Sequence, residues 1–218
     1  MARPLALVAS LALCGCTAIP QVTEAPQVSR RAVAYEPALP VRQCISDLGT
    51  RQAAFTPLPD RYFGAGCSRI NAVRLISLRS DASDLGLTNL GPVTCALADT
   101  LAGWARFGVD RAAREYLGSP LARIETMGSY NCRNVAGTER RSAHATGNAI
   151  DVSGFVLADG RRVSVLGDWN AGAPEVRGFL RVVEASACKR FGTVLGPNYN
   201  PAHANHLHLE VGAGRYCR

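Results

Sequence analysis

Only four histidines occur in the 218-residue chain, and three of them, His203, His206 and His208, fall within six consecutive residues near its end. The run His206-Leu207-His208-Leu209-Glu210-Val211 alternates polar and apolar with period two, which predicts a strand. Alternate side chains of a strand share a face, so His206 and His208 point the same way and Glu210 follows them. Two imidazoles on one face could both bind a metal, or one could bind while the other handles protons. The fourth histidine, His144, lies in Ser142-Ala143-His144-Ala145-Thr146-Gly147-Asn148-Ala149-Ile150-Asp151. Gly147 permits a turn between His144 and Asp151. Asp151 sits between Ile150 and Val152, where a carboxylate needs a partner or a wet cleft. Mixed imidazole and carboxylate ligands with an open fourth position suit Zn²⁺ of the catalytic type. The plainer reading makes each His a satisfied core or surface residue and Asp151 a cap.

These residues need elements to hold them. Ile70 to Leu78 reads as a strand, and Val93 to Gly108 as a helix with Leu97, Leu101 and Trp104 at helical spacing. A short helical turn is expected over 110–117, a strand over 121–130 and a polar loop over 131–142. Ala149 to Leu157 reads as a strand that returns through Ala158-Asp159-Gly160 into a hairpin over 161–166. Pro174 to Phe191 is a second helix, with Pro near its start and Val176, Phe179, Leu180, Val183 and Ala187 on one face. The mixture predicts an α+β fold, a small antiparallel sheet with flanking helices. No GxGxxG, Walker A, GxSxG, CxxC or HExxH motif is present.

Hydrophobic residues make up 47% and charged residues 19% of the chain, enough apolar material for a core. The net charge of +7 is scattered as singles and pairs, without a dense basic run or aromatic interleaving, so a nucleic-acid partner is not expected. Leu5 to Leu13 is a nine-residue apolar run after Arg3, too short to span a bilayer but right for a signal-peptide core. Leu13-Cys14-Gly15-Cys16 resembles a bacterial lipobox, with Cys16 as the lipidated residue. Thr17 follows it where an Asp would resemble an inner-membrane retention signal, so an outer-membrane anchor facing the periplasm is favoured. The expected organisation is a signal peptide over 1–15, a Pro-containing tether over 16–40 and one domain over 41–218. Membrane contact is expected through the lipid alone. Cys44, Cys67, Cys95, Cys132, Cys188 and Cys217 remain, an even number that reads as up to three disulfides. Cys188 and Cys217 are one plausible pair.

Around the His144 loop, Arg133, Arg140 or Arg141 could hold a peptide carboxylate, or be solvated surface beside Glu139. Ser142 can cap local backbone or touch His144. Asn148 and Asn205 can orient neighbouring loops or ligands. Tyr199 and Asn200 precede the histidine cluster and could contact a substrate. Trp104 and Trp169 read as packing residues, with a groove as the alternative for Trp169.

The run Ser142–Asp151, together with Gly196-Pro197-Asn198-Tyr199-Asn200 and Asn205-His206-Leu207-His208, resembles the bacterial extensin-like C-terminal domain family. Pro92-Val93-Thr94-Cys95-Ala96-Leu97 and Ser129-Tyr130-Asn131-Cys132-Arg133 extend the resemblance over roughly 44–218. That family in turn resembles the zinc peptidases that group D-alanyl-D-alanine peptidases, lysostaphin-type endopeptidases and penicillin-insensitive murein endopeptidase. The resemblance implies a hedgehog or D-Ala-D-Ala peptidase-like fold, with His144, Asp151 and His208 as zinc ligands. It implies His206 as the active-site histidine outside the ligand set and His203 as an additional one. Asn205 stands where the dipeptidase branch has a Glu, so that motif supplies no carboxylate base; His206 with His203, or a distant carboxylate such as Glu139, is left for the proton work. The implied function is a periplasmic zinc-dependent peptidase cutting peptidoglycan peptides, as endopeptidase or carboxypeptidase. The alternative is a non-catalytic, zinc-containing lipoprotein that binds peptidoglycan or organises the envelope. No oligomeric state is implied.

Overall fold

The computed structural model describes residues 39–218. The signal peptide, Cys16 and all but the last two tether positions lie outside the described residues. The helices are α1 (Leu39–Thr50), α2 (Cys95–Trp104), α3 (Arg111–Leu117), α4 (Val165–Asp168) and α5 (Pro174–Cys188). The strands are β1 (Ala54–Pro57), β2 (Arg61–Gly64), β3 (Cys67–Arg69), β4 (Ala72–Arg79), β5 (Asp84–Thr88) and β6 (Val93–Thr94). They continue with β7 (Leu121–Gly128), β8 (Ala149–Leu157), β9 (Arg162–Ser164), β10 (Thr193–Leu195), β11 (Leu207–Glu210) and β12 (Tyr216–Cys217).

α2 starts where the Thr94 hydroxyl accepts the Leu97 N–H at 3.3 Å, which satisfies one orphan donor of the first turn. Leu97, Leu101 and Trp104 then face inward and are fully buried. The expected continuation to Gly108 is instead a π-helical segment, Ala105–Asp110, that leads into α3. Gly108 is where this segment meets α5: a Cβ there would lie 2.2 Å from the Ser186 hydroxyl and 2.9 Å from the Trp104 ring. α5 begins with Pro174, whose missing N–H has no intrahelical partner to lose. It buries Phe179, Leu180, Val183 and Ala187. The Trp104 indole N–H donates to the Val183 carbonyl at 3.1 Å, and Phe155 of β8 packs edge-on against Phe179, with centroids 5.3 Å apart.

The class is α+β, as expected, but the sheet is not small. It has ten strands in the order β1-β4-β5-β7-β8-β11-β10-β12, with β6 on β4 and β9 on β8; β2 and β3 form a separate hairpin. Nor is it wholly antiparallel: β5 pairs parallel to β7, and β10 parallel to β12. The long, patterned segments fall where expected, with β8 matching at both ends and β11 one residue shorter at each.

All six domain cysteines are paired. Cys44–Cys95 ties α1 to α2, Cys67–Cys132 ties β3 to the loop after β7, and Cys188–Cys217 ties α5 to β12. Three disulfides are consistent with an oxidising, extracytoplasmic compartment. Among the described residues, no helix is long and apolar enough to cross a membrane.

Candidate metal centre

The central strands place two of the site residues by register. In the antiparallel β8–β11 ladder His208 lies opposite Asp151, while the neighbouring pairs Leu207–Val152 and Leu209–Ile150 turn to the other face and enter the core. Period two on both strands therefore brings an imidazole and a carboxylate together above a hydrophobic floor. His208 Nδ1 stands 2.9 Å from Asp151 Oδ1.

His144 arrives from the 3-10 helical turn Ala143–Thr146, which sits just before β8. The Ser142 hydroxyl caps this turn by accepting the His144 N–H at 3.4 Å. Gly147 closes it at φ 69°, in the left-handed region, and donates its N–H to the carbonyls of Ala143 and His144. The ring nitrogen Nδ1 of His144 donates to the Ser129 carbonyl at 2.7 Å. Its Nε2 faces inward, 3.3 Å from Asp151 Oδ2 and 3.2 Å from His208 Nδ1.

His144, Asp151 and His208 thus form a buried His/His/Asp cluster whose ligand atoms all lie within 4.8 Å of one another, a set that could hold a metal ion. The chemistry of the donors fits a divalent metal. With Nδ1–H committed to Ser129, neutral His144 presents a lone pair at Nε2, and the Asp151 carboxylate presents lone pairs only. The donor atoms lie close enough together for one ion to reach all three residues.

Burial disfavours the His208 cation, but the hydrogen bond to Asp151, with Glu210 behind it, outweighs burial and pushes its pKa up to about 9. Burial alone raises the Asp151 carboxyl; the facing His144 and His208 outweigh it and hold the group below the usual carboxylate range. A metal ion taken up by this cluster would have to displace the His208 proton. Uptake at pH 7 is therefore expected to release at least about one proton per ion, with affinity climbing up to about tenfold per pH unit until about 9. Calorimetry in buffers of different ionisation enthalpy reads this directly; a heat independent of buffer sinks it.

The other two histidines share the same cleft, of about 580 Å³. His206 turns Nε2 toward Asp151 Oδ1 at 3.5 Å and gives Nδ1–H to Asn205 Oδ1 at 2.8 Å. His203 gives Nδ1–H to Asn200 Oδ1 at 2.7 Å. Burial pushes His203 down to about 4, and repulsion from His206 and His208 when those rings are protonated acts the same way, against the pull of Asp151. Burial also lowers His206, against the pull of Asp151. The shifts favour the neutral form of both rings, with the Nε2 lone pair facing the cleft.

Arg133, Arg140, Ser142, Tyr199, Asn200 and Glu210 also line the cleft. Asn148 does not. It holds the scaffold behind the site, accepting from the Thr94 hydroxyl at 2.8 Å and donating to the Thr146 hydroxyl at 3.0 Å. Arg141 braces the β2–β3 hairpin through the Ala65 carbonyl, and Glu139 is exposed and absent from the cleft lining. Trp169 is buried, with its N–H on Asn198 Oδ1 at 3.2 Å, so it packs and lines no groove here. Two participants carried no sequence assignment: the Ser129 carbonyl, a backbone atom with no side-chain signal, and Glu210, whose place two residues after His208 was a readable one.

The family model described as Extensin-like protein C-terminus matches residues 42–218. The chain belongs to this family. The match spans every element from α1 onward that contributes to the extensin-like domain's cleft. No curated protein and no solved structure matches the chain. Nothing in these comparisons ties the extensin-like domain to zinc peptidases.

Proposed function

We propose that this extensin-like domain is a zinc-dependent peptidase acting on peptide bonds of peptidoglycan, with a fold akin to the D-Ala-D-Ala peptidases. The observation that carries the reading is the convergence of His144 Nε2, Asp151 and His208 Nδ1 on one point beside a cleft that holds two more neutral histidines. A His/His/Asp set leaves a coordination position open to the cleft, the arrangement of catalytic rather than closed structural zinc. When bound, zinc supplies polarisation of a carbonyl oxygen and activation of water.

The chain's own residues supply the rest. Asn205 fixes His206 with its proton on Nδ1, so Nε2 is the nitrogen that takes a proton at the reacting centre and passes it to a leaving amine. Asn200 sets His203 the same way one ring further out, 5.1 Å from His206 by ring centroids. Arg133 stands at the cleft wall, placed to accept a substrate carboxylate by charge-assisted bonds. Tyr199, stacked edge-on to His203 at 5.4 Å, offers an aromatic face to the chain of a bound peptide.

Digestion of purified peptidoglycan by the zinc-loaded protein, with mass analysis of released fragments, tests the reading. Loss of crosslinks indicates an endopeptidase and loss of terminal D-Ala a carboxypeptidase. Stoichiometric zinc with no cleavage of any wall peptide overturns it in favour of a binding or envelope-organising lipoprotein.

The place of action we propose is the periplasm, with Cys16 lipidated and the outer membrane as anchor. The apolar run ending at Leu13-Cys14-Gly15-Cys16 and the three disulfides support it. Intact mass of detergent-extracted protein is expected to show a diacylglyceryl Cys16 as first residue; an unmodified start elsewhere rejects the anchor.

A further inference from the structure

We infer that Glu210 is a positioning residue of the metal centre: its carboxylate receives Nε2–H of His208 and thereby turns Nδ1 toward the metal. The inference rests on the metal reading above and goes beyond it by assigning the outer partner of the second imidazole. The two ring ligands enter the cluster through different atoms, His144 by Nε2 and His208 by Nδ1. Each therefore has a second nitrogen on its outer edge that needs an acceptor, and the choice of acceptor decides which nitrogen carries the proton. For His144 that acceptor is the Ser129 carbonyl at 2.7 Å. For His208 the outer atom is Nε2, and Glu210 Oε2 faces it at 3.5 Å.

The strand makes the pairing. Glu210 is two residues after His208 on β11, so both side chains stand on one face, above the core residues Leu207 and Leu209. Asp151 and Glu210 consequently meet opposite edges of one imidazole. The Asp151 edge faces the metal, and the Glu210 edge faces away from it. A carboxylate on the outer edge holds the proton on Nε2, leaves the Nδ1 lone pair directed inward and makes that nitrogen a stronger donor. The same position puts the His208 ring between Glu210 and the inward-facing donors, while the carboxylate also borders the cleft, so the test must separate positioning from catalysis.

The test compares Glu210→Gln and Glu210→Ala with the wild-type protein by chelator competition for Zn²⁺ and by the absorption spectrum of the Co²⁺ form. Glu210→Ala is expected to weaken zinc binding about 10–100-fold, the usual cost of losing an outer partner. Glu210→Gln is expected to lose less, because its amide oxygen still accepts Nε2–H, and to keep the wild-type Co²⁺ spectrum. Should Glu210→Ala not fold, as judged by circular dichroism, Glu210→Ser, whose side chain is too short to reach Nε2, takes its place with the same expected loss. Wild-type zinc affinity in both variants overturns the assignment. So does wild-type affinity with collapsed peptide turnover, which would make Glu210 a catalytic group. If the wild-type protein itself binds neither Zn²⁺ nor Co²⁺, the metal reading fails and this assignment with it; normal wild-type binding with wild-type-like variants fails the assignment alone.

Discussion

Replacing His144, Asp151 or His208 by Ala is expected to abolish zinc binding and, with it, the proposed peptidase activity. Each of the three contributes one inward atom to a cluster whose ligand atoms lie within 4.8 Å, and no other His, Cys, Asp or Glu joins them as a candidate ligand among the described residues. Removal leaves two protein donors for a dication. Structural zinc sites bind with roughly 10–16 kcal/mol through four protein donors, so each donor accounts for roughly 2.5–4 kcal/mol, and losing one of the three here is expected to cost roughly 10²–10³ in affinity. Metal content by mass spectrometry after dialysis checks the expectation. Near-stoichiometric zinc in all three variants shows that the cluster is not the metal site. The three variants also differ usefully from one another. His208→Ala and Asp151→Ala break a facing pair across β8–β11, whereas His144→Ala leaves that pair intact and empties only the 3-10 turn. Loss of zinc in His144→Ala is thus the cleanest evidence that the turn and the sheet build one site.

Much of that site was readable because two of its parts obey short-range rules. Period-two alternation placed His206, His208 and Glu210 on one face of a strand, and the glycine between His144 and Asp151 announced a turn. What the sequence could not give was register. Nothing local says that Asp151 lies opposite His208 rather than opposite Leu207 or Leu209; that follows from how β8 and β11 align, and a one-residue slip would send Asp151 into the core. The outer partners split along the same line. Asn200 and Asn205 act three residues and one residue from their histidines and were near enough to name, although only the structure shows what they hold. The Ser129 carbonyl acts across 15 residues of sequence with no side chain to advertise it.

The fold shows the same division. Helices α2 and α5 and strands β4, β7, β8 and β11 carry enough apolar periodicity to be read from their own residues. Strands β1, β2, β3, β5, β10 and β12 have two to five residues each, too few for a period, and exist because a neighbouring strand supplies their hydrogen bonds. The expected small sheet therefore became a ten-stranded one. Helix α1 was missed for another reason. It buries Val41 and Leu48 and is fastened to α2 through Cys44–Cys95, so its stability is tertiary and its own sequence resembles the tether before it. The π-helical stretch after α2 contains Gly108 at a tight approach to α5, a tertiary contact that no helical pattern encodes.

His206→Ala is expected to separate binding from turnover. His206 touches the cluster only at its edge, with Nε2 3.5 Å from Asp151 Oδ1, while His208 Nδ1 is 2.9 Å from the same oxygen. Its outer nitrogen is held by Asn205, a neutral acceptor, which leaves Nε2 as a proton acceptor in the cleft. Burial keeps the ring below its ordinary pKa, which favours its neutral form. On the proposed peptidase reading a group in that position transfers protons, for which the usual scale is roughly 10²–10⁴ in rate. The variant should therefore retain near-stoichiometric zinc while turnover of wall peptides falls by that factor. His203→Ala should also keep zinc, with a smaller fall, since its ring lies 6.0 Å from His208 by centroids and one histidine further from the cluster. Zinc content and peptide cleavage measured on the same preparations decide between the roles. If His206→Ala empties the site while His208→Ala leaves it filled, the two histidines have exchanged parts, and the ligand set must be redrawn around His206 Nε2.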